Sequence, residues 1–283
     1  MSGEVLVSGR QAVLAALEAG RPMRRIVLAR GARGASIELI VQRAREQGVP
    51  VQRVDGTVLE ALVAEVQPGK GSSVRHQGVM ALAATRPYRA LEELLAVARQ
   101  RGQPPLLVVL ARVEDPGNLG AVARSADFLG AHGLVVAARR SAGLSPGAEK
   151  AAAGALESLG VARVVNLATA IEELKREGLW AIGAESDGQI TPWEVDLTGP
   201  LVLVLGGEDR GLGHAVRKAC DVVVRIPRVG SVPSLNVAAA AAILLYEVSK
   251  QRASAQLSRG SAQPSRAGAQ LPPQEPAKPR GTC

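Results

Sequence analysis

The chain has 283 residues, 47% of them hydrophobic, and a formal net charge of +8, enough for one sizeable core and a smaller one and about two domains by length. No apolar run approaches the roughly 20 residues that span a bilayer, and the opening MSGEVLVSGR has no long apolar stretch, so neither a membrane protein nor a secreted one is expected and the reading is cytoplasmic. Two cysteines, Cys220 and Cys283, and three scattered histidines, His76, His132 and His214, suggest no disulfide framework and no metal.

The basic excess has a location. Residues 1–85 carry 11 Lys/Arg against 7 Asp/Glu, residues 86–251 carry 18 against 18, and residues 252–283 carry 5 against 1. A neutral middle flanked by basic ends fits a chemical core served by segments that approach a polyanion, although surface arginine also serves solubility.

From Gln11 to Ala83, helical and strand-like segments alternate: QAVLAALEAG, RRIVLAR, SIELIVQRAREQG, VPVQRVD, TVLEALVAEV and GVMALAA. They predict a small α/β domain over residues 1–84. Gly20 and Gly48 stand where helices should stop. The polar stretch QPGKGSSVRHQ, residues 67–77, is expected to be a mobile loop. Its GKGSS lacks the glycine that a phosphate loop requires five positions before Gly69, where Ala64 stands beside Glu65, which argues against nucleotide hydrolysis. Residues 85–104 begin and end near proline around one short amphipathic helix, as a connector between domains would.

Residues 105–251 alternate β-branched apolar strands with helices: LLVVL, LGAVARSADFLG, GLVVA, PGAEKAAAGALESLG, VARVV, ATAIEELKREG, LWAIGAE, a polar insertion, PLVLVLG, AVRKAC, DVVVRI and LNVAAAAAILLYEVSKQR. Strands this apolar belong to a buried, largely parallel sheet covered on both faces. Cys220 reads as a core residue at a helix end. Beyond Arg252 the Ala, Ser, Gln, Pro and Arg composition leaves almost nothing to bury, so residues 252–283 read as a disordered basic tail.

In such a sheet ligands collect at the carboxyl ends of strands, which singles out three loops. In the first, EDPGNLGAVARSADFLGA, Asp115 and Pro116 make a turn, Asn118 can cap the helix, and Arg124 lies about two turns inside with no capping purpose, either functional or on a solvated face. The second, LGGEDRGLG, has glycines that let backbone approach a ligand and one carboxylate, Glu208; by itself it could equally be a glycine-rich turn, and it fails the dinucleotide fingerprint. The third, IPRVGSVPSLNV, brings Ser234 and Asn236 to the mouth of an apolar helix, where both can also cap. Together the loops gather amide, hydroxyl, guanidinium and carboxylate groups without a histidine base or a cysteine nucleophile, a set suited to binding and orienting rather than hydrolysis.

DPGNLGAVARSADFLGA, LGGEDRGLG and IPRVGSVPSLNVAAAAAILLYE resemble, in order, the three motifs of the SpoU (TrmH) family of RNA ribose 2'-O-methyltransferases, over roughly residues 106–251. Residues 5–84, ending in RHQGVMALA, resemble the L30e-like RNA-binding domain that precedes the catalytic domain in the bacterial large-subunit (23S) rRNA guanosine methyltransferases. The resemblance implies an α/β trefoil-knotted methyltransferase domain and a homodimer; periodicity shows neither. It implies S-adenosyl-L-methionine as cofactor, contacted by Gly206, Ile226 and Leu235, and Arg124, Asn118, Glu208, Ser234 and Asn236 as the residues of methyl transfer. The implied substrate is large-subunit rRNA; a tRNA or an adenosine target, and a non-catalytic RNA-binding protein on the same fold, remain as alternatives.

Overall fold

A computed structural model describes residues 4–66, 76–84, 86–207 and 211–260. The N-terminal sheet has four strands, β1 (Glu4–Ser8), β2 (Met23–Ala29), β3 (Val51–Val54) and β4 (Val79–Ala84), in the order β1-β4-β2-β3. β4 pairs antiparallel with β1 and β2, and β2 pairs parallel with β3. Helices α1 (Arg10–Glu18) and α2 (Ala35–Glu46) cover one face of it through Val13, Leu17, Ile37 and Ile40. Helix α3 (Gly56–Val66) covers the other with Leu59 and Val63. The alternation read from residues 11–83 is therefore strand and helix as expected. The loop expected over residues 67–77 falls mostly outside the described residues.

The second sheet has six strands, β5 (Leu106–Ala111), β6 (Gly133–Ala137), β7 (Gly160–Val164), β8 (Trp180–Ala184), β9 (Leu201–Gly206) and β10 (Val222–Val224), in the order β10-β8-β9-β5-β6-β7. All neighbours pair parallel. Alternation along each strand divides its side chains between two cores. Leu106, Val108, Leu110, Leu203 and Leu205 meet α5 (Pro116–Phe128) and α10 (Val237–Gly260) on one side. Leu107, Val109, Val202 and Val204 meet α4 (Leu91–Gln100), α8 (Leu167–Arg176) and α9 (His214–Ala219) on the other. Each Val or Leu so buried contributes about 1.5–3 kcal/mol relative to exposure. Cys220, just past α9, packs against the second core, and burial pushes its thiol up to about 11, which keeps it protonated at neutral pH.

The amphipathic helix expected in the connector forms as α4, and its apolar face is docked: Leu91, Leu94 and Leu95 are buried on the large sheet, and Leu94 sits so close to Gly133 and Gly160 that a Cβ on either would stand 2.7 Å and 2.6 Å from it. The structure corrects the sequence reading in three places. PGAEKAAAGALESLG is not one helix but two, α6 (Pro146–Ala152) and α7 (Ala155–Ser158), broken where Ala153 and Gly154 turn left-handed with φ of 51° and 101°. Asp115, not Asn118, caps α5: its carboxylate accepts the amide of Asn118 at 2.8 Å, because Pro116 fixes the first helical position one residue after it. Finally, α10 continues past Arg252 to Gly260; residues 261–283 lie outside the described chain. Arg252 supports that continuation, its guanidinium donating to the carbonyls of Pro104, Pro105 and Gly199 at 2.7–3.1 Å. No helix among the described residues is long and apolar enough to cross a membrane.

Candidate functional site

Because the strands of the large sheet run parallel, the loops after β5, β8, β9 and β10 emerge on one edge. The first and second loops touch. Arg112, just past β5, adopts φ of 59°, and its carbonyl oxygen lies 2.2 Å from where a Cβ on Gly207 would stand, so only glycine allows that crossing. The second loop also folds back on itself. The amide of Gly211 donates to the carbonyl of Gly207 at 3.1 Å, and a Cβ on Gly206 would stand 2.3 Å from the Gly211 backbone. Gly206 thus lies in close backbone contact with Gly211; Glu208 lies outside the described residues.

The third loop reaches the first. Asn236 accepts the amide of Ala238 at 2.8 Å through Oδ1, capping α10, and donates from Nδ2 to Oδ1 of Asn118 at 2.9 Å. Two predicted residues 118 positions apart are therefore in direct contact. Ser234, two residues before Asn236, is exposed in the same loop. Arg124 does not join them: it lies six residues along α5 from Asn118, about 9 Å of helix axis. Its side chain is exposed and, among the described residues, is engaged in no ion pair.

A residue that sequence reasoning missed organises the edge from below. Glu185, the first residue after β8, accepts the amide of Leu212 at 2.9 Å through Oε1 and pairs with Arg217 of α9 through Oε2. Arg217 also donates to Asp187 at 2.8 Å. The second loop is thus anchored by a carboxylate that is 16% exposed. The sequence carries it as an acid at the end of an otherwise apolar strand, where it also opens a polar insertion and so resembles an ordinary surface carboxylate. Arg139 and Arg140, exposed just after β6, likewise put positive charge at this edge.

Apolar surface completes the site. Ile226 is half-buried beyond β10, while Val229, Val232 and Leu235 are exposed on the third loop, Leu235 at 47%. Exposed aliphatic side chains beside glycine backbone suit a nucleoside-bearing ligand, whose base needs an apolar shelf and main-chain partners.

Residues 105–246 match the SpoU rRNA methylase family, and residues 6–89 match the RNA 2'-O ribose methyltransferase substrate-binding family. The chain belongs to the SpoU (TrmH) family. It is 35% identical to the TrmH-family protein YacO of Bacillus subtilis over 87% of this chain and 95% of that one. Among solved structures it resembles the SpoU methyltransferase AviRb from Streptomyces viridochromogenes in complex with AdoMet, with a TM-score of 0.72 and 30% identity over 89% of this chain and 92% of that one. It also resembles the TrmH/SpoU tRNA modifying enzyme of A. aeolicus, with a TM-score of 0.50 and 28% identity over 59% of this chain and 87% of that one. This SpoU-family chain is an RNA 2'-O-methyltransferase that uses S-adenosylmethionine. Its N-terminal sheet, from Leu6 of β1 onward, lies within the residues that match the substrate-binding family.

Proposed function

We propose that this enzyme methylates the ribose 2'-hydroxyl of a guanosine in large-subunit rRNA, acting as a cytoplasmic homodimer. The observation that carries the placement of the chemistry is the Asn236–Asn118 hydrogen bond, which joins the third motif loop to the first. The substrate-binding match over residues 6–89 supports a structured RNA, and exposed Arg24, Arg33, Arg45 and Arg53 of that unit suit phosphate contacts. With five aromatic side chains in the whole chain, shape and backbone charge, rather than base stacking, are its means of selecting RNA. Exposed Ile243 and Tyr246, three residues apart on α10, give one helix face the apolar character a second copy would cover, and the trefoil knot implied by the family would lie behind it.

S-adenosylmethionine supplies an electrophilic methyl on a sulfonium when bound, and Gly206, Ile226 and Leu235 would hold it through main chain and apolar contact. Asn118, Ser234 and Asn236 orient the ribose, while Glu208 positions a partner by hydrogen bonding. Arg124 holds an RNA phosphate and stabilises the negative charge that grows on the 2'-oxygen as its proton passes to solvent water; a guanidinium is a hydrogen-bond donor, not a base.

The test is incubation of the purified protein with radiolabelled S-adenosylmethionine and either unmodified rRNA or bulk tRNA, followed by nucleoside analysis. Label in 2'-O-methylguanosine from rRNA is the expected result. Label confined to tRNA keeps the chemistry and overturns the substrate, and label in 2'-O-methyladenosine overturns the base.

A further inference from the structure

The seam between the two sheets is built from charge. Arg21, between α1 and β2, is 8% exposed. Its Nη1 and Nη2 donate to the two carboxylate oxygens of Glu149 on α6 at 3.2 and 3.1 Å, and Nη1 also to Glu157 on α7 at 3.2 Å. Its Nε and Nη2 donate to the carbonyl of Ala84, where β4 ends, at 2.9 and 2.7 Å. Arg86 pairs with the same Glu157, and no side chain of the four exceeds 14% exposure.

Two buried charges and two largely covered ones are a poor device for stability, because desolvation offsets most of their attraction and well-packed apolar residues would hold the seam as firmly. What an arginine fork adds is register: two parallel hydrogen bonds to one carboxylate fix distance and angle together, where an apolar seam can slide. The backbone around the cluster is equally intolerant of sliding. A Cβ on Gly154 would stand 2.6 Å from the Cβ of Ala15 on α1, so the helix break between α6 and α7 seats directly on the N-terminal unit. From there the fixed geometry reaches the site. A Cβ on Gly120 of α5 would stand 2.3 Å from the carbonyl of Ala148 on α6, and α5 carries Asn118 and Arg124.

We propose that Arg21 is a positioning residue for methyl transfer, locking the RNA-holding unit to α6 and α7 so that RNA gripped by one unit presents its ribose at a fixed place over Asn118 and Asn236. The proposal rests on the chain's acting on RNA held by its N-terminal unit. Misplacement by about 1 Å can cost about a hundredfold in rate, so the lock acts on the chemical step more than on binding.

The experiment compares the full-length protein with Arg21→Ala, Arg21→Lys and Glu157→Gln. Four quantities are measured: small-angle X-ray scattering, affinity for S-adenosylmethionine, affinity for RNA, and single-turnover methylation with both partners saturating. For Arg21→Ala the expected result is an increased radius of gyration, both affinities within about threefold of the parent, and a rate lower by about tenfold or more. Arg21→Lys, which keeps the charge but loses the fork, falls between. Should Arg21→Ala fail to fold, Glu157→Gln leaves the Glu149 fork intact and is expected to show a smaller rate loss of the same kind. Unchanged scattering and rate in these variants overturn the proposal, as does a rate loss that merely follows weakened cofactor binding. If the parent methylates no RNA, the functional reading fails on its own, and scattering alone decides whether Arg21 holds the units together.

Discussion

The side-chain amide of Asn236 donates to Oδ1 of Asn118 at 2.9 Å, while the other end of the Asn236 amide caps α10 at Ala238. One side chain therefore fixes the start of the last helix and the first turn of α5. If this pair forms part of the surface that orients ribose, Asn118→Ala and Asn236→Ala each lower single-turnover methylation by about tenfold or more. Their effects are not independent: the double variant loses less than the product of the two, with a coupling of about 0.5–1.5 kcal/mol. Additive losses measured in that cycle would show that the contact is incidental to catalysis.

Much of this arrangement was legible in the chain. The motif loops announce themselves because glycine, proline and small polar residues interrupt strands as apolar as LLVVL and LVLVLG, and a parallel sheet places such interruptions on one edge. Contacts were not legible. Asp115 and Asn118 are equally good caps by type, and only the position of Pro116 decides between them. Arg252 reads as the start of a tail because its three carbonyl partners come from residues 53 and 147–148 positions away, which no local pattern records. Nothing local in the sequence separates Arg21 from Arg24 and Arg25 beside it, yet it is buried against two carboxylates of the other half.

Glu185 is expected to govern cofactor affinity without touching the reacting atoms. Its carboxylate holds the amide of Leu212 and the guanidinium of Arg217, so its removal frees the second loop. A hydrogen bond to a charged group is worth about 1.5–3 kcal/mol, so Glu185→Ala should weaken S-adenosylmethionine binding by about tenfold or more by calorimetry. Glu185→Gln, which keeps an acceptor for Leu212, should recover most of that loss. Equal affinities for all three proteins would place the second loop's order elsewhere.

Gly207→Ala probes the crossing of the first two loops. The added Cβ would stand 2.2 Å from the carbonyl oxygen of Arg112, a backbone atom whose residue is already left-handed at φ of 59°. The strain must move one loop or the other, at about 1–3 kcal/mol. Lost cofactor binding with a modestly lowered melting temperature is expected. Gly199→Ala, which has open space at its Cβ position, is the control and should change neither.

Acid should weaken the fold through His132. Its Nδ1 accepts the amide of Leu106 at 3.0 Å, and its Nε2 lies 3.1 Å from Gln103 Oε1, so the neutral ring is the form the core accommodates. Burial first, then the charges of Arg101 and Arg252, push its pKa down from 6.5 to about 4. Because the folded pKa is depressed, the unfolded chain binds the proton more readily. Stability is therefore full above pH 6.5 and declines as pH falls from there towards 4, by about 3 kcal/mol in all, with no further loss from this group at lower pH. Denaturant midpoints at pH 7 and pH 5 measure it, with His132→Gln as the comparison, since that variant removes the titration and should lose less stability between the two. An identical decline in both proteins would mean that the buried imidazole contributes nothing to acid sensitivity.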